Sequence, residues 1–306
     1  MNKNSIFYDV CYVLINTKDE GLNKNVLPSI IFNHVIAAVE TRKGLRYLDF
    51  TANNYPMGSI PEYCMDAFSL LVKTGVQEPK YLPRDLFIAN NITRHTSMTV
   101  HEDNRLFIEL NSKRTGTLGA LIRYYYRNKG REEVENELTA SMNINLPNVK
   151  LTKFEFKNLD NLEETVESIY ACEVPNYITE TGQFKFLKIP WSDKLVANDA
   201  LSYDLRKYPY YYWPWIDTTY EEIELKMPES YKPVDLTPEV KLTSSIADFT
   251  VSYVVYKDGI KATREMIYKK TIIETSEYME FKIFYNAVLK EDNKQLLFRK
   301  TGMYKQ

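Results

Sequence analysis

The sequence predicts an α+β fold that is mostly β. Its 24 Tyr and 14 Phe residues stand against only 10 Gly, a composition that is common in strand-rich domains. Many short segments alternate apolar and polar residues with a period of two, as half-buried strands do, whereas only three segments have helical periodicity. With 306 residues and 44% hydrophobic content, the chain can form one large domain or two ordinary ones.

The charge balance and the cysteine count exclude several kinds of partner and site. Lys and Arg number 39 and Asp and Glu number 41, so a net charge of −2 gives no basic field for nucleic acid. No apolar run reaches the roughly eighteen residues that a membrane-spanning helix needs. Cys11, Cys64 and Cys172 are far apart and only three histidines are present, which argues against a disulfide framework and a Cys/His zinc module. We therefore expect no cofactor, metal, nucleic acid or membrane span.

The N-terminal part predicts strands with one hairpin. The turn at residues 41–44 separates two apolar runs, which is a hairpin signal. Proline-bearing sequence up to Pro83 then indicates a domain boundary, which divides the chain into residues 1–83 and 84–306. The strands are expected at residues 6–15, 30–39 and 45–50.

The C-terminal part predicts a β-sandwich-like domain with a helical insertion and a C-terminal helix. Two helices at residues 117–128 and 132–142 interrupt the strands. The last helix has Ser276 as its expected N-cap, with Met279 and Ile283 on its apolar face beside Phe284, Ala287 and Val288. The main strands are expected near residues 97–100, 106–110, 149–156, 167–174, 184–189, 220–227, 247–256 and 260–268, with 296–298 as a last one.

A histidine and an aspartate on the N-terminal hairpin are the residues best placed for chemistry. If residues 41–44 form the turn, Glu40 pairs with Leu45, and Asp49 becomes the diagonal neighbour of His34 on the same face. A three-residue loop would place the two on opposite faces. A carboxylate that orients a histidine is the lower half of a Cys-His-Asp relay, although such a pair on a hairpin is more often structural.

The sequence segments around His34 and Asp49 resemble those of a known family. The stretch from Cys11 to Pro61 is similar to the transglutaminase-like core of a bacterial family that also has an N-terminal and a C-terminal β domain. Weaker likeness continues through the C-terminal part, so the resemblance covers nearly the whole chain. The matching phrases lie at residues 12–17, 27–29, 32–39, 48–52 and 56–58, and then at 159–162, 206–209, 228–231, 284–285 and 292–293.

The resemblance implies a fold and two site residues. Residues 1–83 would be the end of a papain-like transglutaminase core, and residues 84–306 its C-terminal β domain. His34 matches the histidine of the family's F-N-H-V-I phrase and Asp49 the aspartate of its L-D-x-T-A phrase, which are the second and third members of a Cys-His-Asp triad. The family belongs to the cysteine protease and acyltransferase superfamily.

The nucleophile of that triad has no counterpart in this sequence. The family places its cysteine at the start of a helix well upstream of the histidine, where a thiolate is favoured. Cys11 lies inside a predicted strand and is interpreted as a buried apolar residue. Neither Cys64 nor Cys172 matches the nucleophile. The sequence therefore predicts an incomplete triad and a chain that is inactive by itself.

Two explanations of the incomplete triad are compatible with the sequence. The chain is a truncated fragment or a mis-started reading frame of a longer protein, or it is a shortened relative that keeps the scaffold without the chemistry. Removing the nucleophile helix would uncover one face of the N-terminal sheet, so we expect an exposed apolar patch beside His34. The family is commonly exported, but no signal peptide is visible here.

An interaction module is the alternative function. Residues 208–215 form the densest aromatic run of the chain and include Trp213 and Trp215. Aromatic platforms of this kind stack on sugars or on a partner's prolines, although core packing of a proline-bounded edge is the commoner reason for such a run. The alternative is therefore that the β-sandwich-like domain binds a protein or glycan partner.

Overall fold

The computed structural model describes residues 9–18, 31–42, 44–76, 78–83, 89–211 and 216–301. Within these ranges it contains nineteen strands and three helices, which confirms the mostly β, α+β class. The chain forms two compact units: the first contains residues 1–90, 115–127 and 158–165, and the second contains the rest. The boundary near Pro83 stays a prediction. None of the helices in the described ranges has the length and hydrophobicity needed to cross a bilayer.

The first unit contains a five-stranded antiparallel sheet and one helix. The strand order is β3-β2-β1-β4-β5, so the central strand β1 pairs with β2 on one side and with β4 on the other. Helix α1 spans Gly116–Tyr126 and is the first helix of the predicted insertion. The strands are β1 (Val10–Asn16), β2 (His34–Thr41), β3 (Gly44–Leu48), β4 (Phe68–Val72) and β5 (Lys80–Tyr81).

The register of the β2–β3 hairpin is as predicted, and its turn is tighter. Glu40 pairs with Leu45, but the pairing continues to Thr41 opposite Gly44. The Thr41 hydroxyl donates a 2.7 Å hydrogen bond to the Gly44 carbonyl, which extends the ladder beyond the expected loop. Gly44 has a φ of +104°, a conformation that side-chain-bearing residues rarely adopt. The shorter turn leaves the register, and with it the expected placement of His34, unchanged.

The face of this sheet that carries His34 is covered, so the expected apolar patch beside His34 is wrong. Val13, Ile15 and Ile36 on this face are at most 2% exposed, and they pack against a cluster supplied by residues 60–67 and Leu82. The exposed apolar side chains lie instead on the opposite face, because side chains alternate along a strand. They include Val10, Tyr12, Val35 and Val72.

The second unit is a sandwich-like arrangement of two sheets that share one apolar core. An eight-stranded sheet has the order β15-β16-β17-β13-β6-β7-β9-β8, in which only β6 and β13 pair in parallel. A four-stranded sheet has the order β10-β11-β19-β14. The strands are β6 (Asn91–Val100), β7 (Leu106–Arg114), β8 (Lys150–Lys157), β9 (Val166–Val174), β10 (Thr179–Thr181), β11 (Phe184–Lys188), β12 (Tyr210–Tyr211), β13 (Thr218–Lys226), β14 (Tyr231–Val234), β15 (Glu239–Thr243), β16 (Ala247–Tyr256), β17 (Gly259–Tyr268), β18 (Ile272–Ile273) and β19 (Gln295–Lys300).

The helices of the second unit are α2 (Arg131–Asn143) and α3 (Tyr278–Asp292). The predicted N-cap of α3 at Ser276 is wrong by one residue, since Glu277 occupies that position. The predicted apolar face is confirmed at Phe284 and Val288 but is wrong at Met279 and Ile283, which are 41% and 64% exposed. The aromatic residues set the buried face instead, which consists of Tyr278, Phe281, Phe284, Tyr285 and Val288 together with Asp292.

Two ion pairs tie the segment after β11 to the sheet and to α3. The Arg264 guanidinium donates two hydrogen bonds of 2.7 and 2.9 Å to the Asp292 carboxylate, which also accepts the Leu195 amide at 2.7 Å. Arg94 pairs in the same bidentate way with Asp193. Burial alone would raise the pKa of the Asp193 carboxyl, but the charge and hydrogen bonds of Arg94 outweigh it and lower that pKa.

Candidate functional site

His34 is the first residue of β2, and the residue before it fixes where the strand begins. The Asn33 side-chain amide donates to the Thr17 hydroxyl at 2.7 Å, and its carbonyl oxygen accepts the Thr17 amide at 2.9 Å. The Asn33 backbone amide donates to the Ile15 carbonyl at 3.0 Å. These bonds fasten the entry of β2 to the end of β1, so the histidine side chain leaves the sheet at a defined position.

Asp49 follows β3 and is held by the residues that come after it. Its Oδ1 atom accepts the backbone amide of Thr51 at 2.9 Å and the Thr51 hydroxyl at 2.7 Å. This side-chain turn explains the spacing of aspartate and threonine in the L-D-x-T-A phrase. The Asp49 side chain is 0% exposed, and its second oxygen, Oδ2, points to the histidine.

The two predicted residues meet. His34 Nε2 lies 2.7 Å from Asp49 Oδ2, with the histidine side chain 20% exposed. A carboxylate oxygen accepts, so we assign the proton of the neutral imidazole to Nε2, which leaves Nδ1 with the basic lone pair. The Tyr63 ring stands edge-on to the imidazole with ring centres 5.8 Å apart and restricts its rotation. The arrangement is an oriented imidazole that can accept a proton at one nitrogen.

Cys64 lies at the same place, which the sequence did not predict. A sulfur of Cys64, a ring nitrogen of His34 and a carboxylate oxygen of Asp49 are all within 4.8 Å of one another. Cys64 is 0% exposed and belongs to the core cluster of this unit. The cysteine reaches this position because residues 61–67 form successive turns, with Cys64 bonded to Pro61 and Ala67 bonded to Cys64 through the backbone.

The pKa of the Tyr63 hydroxyl reflects the low polarity and the negative charge of this site. Burial, together with the charge of the Asp49 carboxylate, raises the pKa of the Tyr63 hydroxyl to about 12. A hydrogen bond to Thr51 opposes this rise. Tyr63 therefore stays protonated and neutral beside the imidazole at physiological pH.

The other two cysteines lie elsewhere in their units. Cys11 is in β1 and is half-buried rather than buried as expected. Cys172 is in β9 and is buried, and burial raises the pKa of its thiol to about 11. A thiol with such a pKa is a poor nucleophile at neutral pH.

The second unit has a groove on the outer face of its large sheet, where charged side chains lie beside apolar ones. The groove has a volume of about 410 Å³ and is lined by Glu109, Glu222 and Glu224 with His95 and Lys153 nearby. His95 Nδ1 lies 3.8 Å from a carboxylate oxygen of Glu222. The hydrogen bond that Lys261 donates to Glu222 lowers the pKa of the Glu222 carboxyl, although burial alone would raise that pKa.

The predicted aromatic run is described only in part. Residues 212–215, and with them Trp213 and Trp215, lie outside the described residues. Tyr208 is 68% exposed, whereas Tyr210 accepts a 3.1 Å hydrogen bond from Asn198 and lies 4.6 Å below the Arg206 guanidinium. The described end of the run is thus packed at Tyr210 and open at Tyr208.

Comparison with known proteins gives a family match over part of the chain and distant structural likenesses, one of which is described here. A family model described as a domain of unknown function with solved-structure structure (DUF3858) matches residues 185–298, which lie in the second unit. The chain is also similar to a crystal structure of a "putative protease" from Parabacteroides distasonis ATCC 8503, with 9% sequence identity and a TM-score of 0.46. That likeness covers 95% of this chain and 40% of the other, so the chain spans about two fifths of that protein's length. No curated protein matches the chain.

Proposed function

We propose that this chain is a transglutaminase-like protein that keeps the His34 and Asp49 half of a Cys-His-Asp relay and lacks the family's nucleophile among its own residues. In this proposal, residues 1–83 are the end of the core and residues 84–306 a β-sandwich-like domain. The observation that carries the proposal is the 2.7 Å hydrogen bond from His34 Nε2 to a fully buried Asp49 carboxylate.

The chemistry follows from that bond. Asp49 holds the Nε2 proton, so Nδ1 of His34 is the nitrogen that takes a proton from a thiol. The resulting thiolate attacks a peptide or carboxamide carbonyl, and the imidazolium returns its proton to the leaving amine. The carboxylate stabilises the imidazolium between the two transfers. The thiol comes from outside the residues of this chain.

Cys64 is not that thiol in our proposal. Its side chain has no exposed surface, so a substrate carbonyl cannot approach the sulfur at bonding distance. It also lies in a turn between strands rather than at the start of a helix, where the amide groups would favour a thiolate. Although Cys64 lies close to His34, it therefore has no access to an acyl substrate.

An external thiol tests the proposal. The full chain is incubated with a p-nitrophenyl acyl ester and 2-mercaptoethanol, and nitrophenol release is followed. The thiol proton goes to His34, a C–S bond forms, the C–O bond breaks, and the nitrophenolate leaves. We expect the wild-type chain to exceed His34→Gln by about tenfold or more, which is below the roughly 100-fold lower limit of general-base catalysis because the thiol is not bound. Equal rates in the two proteins would contradict the proposal.

Cys64→Ser is the matched control for this assay. We expect it to keep the thiol-dependent rate of the wild-type chain, and we expect no turnover by either protein when the external thiol is omitted. Turnover without added thiol that Cys64→Ser abolishes would place the nucleophile inside the chain. That result would contradict the part of the proposal that concerns an incomplete relay.

A second candidate function is ligand binding by the β-sandwich-like domain, with a protein or glycan as partner. The groove of about 410 Å³ on the outer sheet face favours it, because its three carboxylates and its histidine offer convergent polar groups. Glu109→Gln and Glu224→Gln should each weaken the binding of a captured glycan or peptide without lowering the melting temperature. Glu239→Gln, on an edge strand away from the groove lining, is the control. Unchanged binding in both groove variants would dismiss this function.

A further inference from the structure

We propose that Cys64, His34 and Asp49 together bind one thiophilic divalent cation such as Zn²⁺. The inference goes beyond the proposed function, since it requires no acyl substrate and no external thiol. It begins from the convergence of one sulfur, one ring nitrogen and one carboxylate oxygen, each within 4.8 Å of the other two. The three residues are separated in sequence by fifteen positions each, so no short zinc motif marks them.

The separations are close to what a tetrahedral site requires. Zinc bonds of about 2.3 Å to sulfur and about 2.0 to 2.2 Å to nitrogen and oxygen place neighbouring ligand atoms roughly 3.3 to 3.7 Å apart. The pairs at most 4.8 Å apart must approach by up to about 1.5 Å, and the 2.7 Å nitrogen–oxygen pair must open slightly. Side-chain rotations of this size do not need a change in β2 or β3.

The charges of the ligands match a divalent cation. A Cys64 thiolate and the Asp49 carboxylate together carry two negative charges, and a neutral His34 adds none. A bound Zn²⁺ would therefore leave a neutral site, which is what burial of a charge requires. The sulfur and nitrogen ligands favour zinc over magnesium or calcium, which prefer oxygen ligands alone.

Two of the three proposed ligands are already held in place by neighbouring residues. The Oδ1 atom of Asp49 is held by the amide and hydroxyl of Thr51, and the imidazole plane is restricted by Tyr63. Such outer contacts orient metal ligands and raise metal affinity. Because Cys64 and Asp49 are sealed and the His34 side chain is 20% exposed, the cation and a fourth ligand such as water would enter beside the histidine.

Cation binding and base action exclude each other at this site. The cation replaces the proton shared by His34 and Asp49, so a loaded site has no basic imidazole. Cation binding nevertheless can be measured when no acyl chemistry occurs. If the thiol-dependent assay fails while the cation still binds, the result counts only against the acyl-transfer proposal. If the assay succeeds while no cation binds, the result counts only against this inference.

The test is a titration of the metal-stripped full chain with Co²⁺ and Zn²⁺. We expect one equivalent to bind, with a thiolate-to-cobalt charge-transfer band and the visible bands of a tetrahedral site, and Zn²⁺ to displace Co²⁺. Cys64→Ser should abolish the charge-transfer band and weaken Zn²⁺ binding by about 100-fold. His34→Gln should weaken it by at least about tenfold, and Thr51→Val, which removes one outer contact, by about tenfold.

Cys11→Ser is the matched control, since it removes a half-buried thiol of the same unit and should leave the band and the affinity unchanged. Circular dichroism of each metal-free variant checks that it is folded. If Cys64→Ser unfolds the chain because Cys64 is buried, His34→Gln takes its place as the test variant. Absence of one-equivalent binding in the wild-type chain would overturn the inference. So would a charge-transfer band that survives Cys64→Ser.

Discussion

His34–Asp49 in the first unit and Arg264–Asp292 in the second are both hydrogen-bonded pairs with a buried aspartate, but water reaches only one of them. The Asp49 and Asp292 side chains are 0% and 1% exposed, whereas His34 is 20% exposed and Arg264 only 2%. A partly exposed imidazole can exchange a proton with a ligand. A sealed guanidinium can only hold strands and helices together. In our proposal the first pair serves chemistry, whereas the second pair serves stability.

The largest effect is expected when the sealed pair is broken. Asp292→Ala leaves the Arg264 guanidinium buried without its carboxylate and removes the acceptor of the Leu195 amide. We expect the free energy of unfolding to fall by about 3 to 5 kcal/mol in urea denaturation.

Two controls accompany this prediction. Replacing the whole pair by apolar residues, with Arg264→Met and Asp292→Leu together, should recover most of the loss. Asp204→Ala breaks a pair whose carboxylate is 83% exposed, so it should change the free energy of unfolding far less than Asp292→Ala does. If Asp292→Ala were no less stable than Asp204→Ala, the structural role of the sealed pair would be wrong.

A smaller, pH-dependent effect is expected at Glu180 in the same unit. Hydrogen bonds from Asn104, Tyr231 and Lys185 lower the pKa of the Glu180 carboxyl from 4.5 to about 2. Because the folded-state pKa is lower than the unfolded one, the stabilisation is complete above about pH 4.5 and is lost as the pH falls towards 2. After allowance for the partial exposure of the carboxylate, we expect about 1 to 2 kcal/mol.

Glu180→Gln checks this effect by difference. The wild-type chain should be more stable than the variant at neutral pH, and the gap should close as urea midpoints are measured from pH 5 down to pH 2. Other carboxylates titrate equally in both proteins, so they cancel. A gap that stays constant over this range would show that the hydrogen bonds to Glu180 do not depend on its charge.

The smallest effect on stability is expected at His34. His34→Gln keeps a polar side chain at a partly exposed position, so the free energy of unfolding should fall by no more than about 1 kcal/mol. The same substitution should slow the thiol-dependent acyl transfer by about tenfold or more. Urea denaturation and the ester assay on one preparation check both. A loss of several kcal/mol would place His34 with Arg264 among the structural residues.

The parts of the fold that depend on local pattern could be predicted. Gly44 and the two apolar runs around it determine the β2–β3 register, which brings His34 and Asp49 to the same face. Strand 247–256 was predicted with the bounds that the structure has, because its alternation is regular and Lys257 and Asp258 end it. The mostly β class follows from the same alternation.

The buried face of α3 could not be read from hydrophobicity alone. Met279 and Ile283 are more apolar than Tyr278 and Tyr285, yet the tyrosines are buried, because their hydroxyl groups find backbone carbonyls at Tyr203 and Val196. The burial of a tyrosine depends on whether such an acceptor is present, and that is a tertiary property.

The position of Cys64 was missed for a similar reason. The chain folds back through successive turns after Pro61, and Asp66 among them has a positive φ of 54°. No single residue of this stretch predicts these turns. Spacing along the sequence therefore gave no sign that the sulfur lies near His34. The apolar patch was expected on the wrong face for the same reason, since residues 60–67 cover the face that carries His34.

The central claim is that Asp49 holds His34 as an oriented base, and the imidazole nitrogen shifts in NMR spectra test it most directly. We predict that the neutral imidazole of the wild-type chain carries its proton on Nε2. In Asp49→Asn, Thr51 still needs an acceptor, so the new amide group faces the ring and donates to Nε2, and the proton should move to Nδ1. A wild-type imidazole protonated at Nδ1, or a tautomer that Asp49→Asn leaves unchanged, would contradict the account.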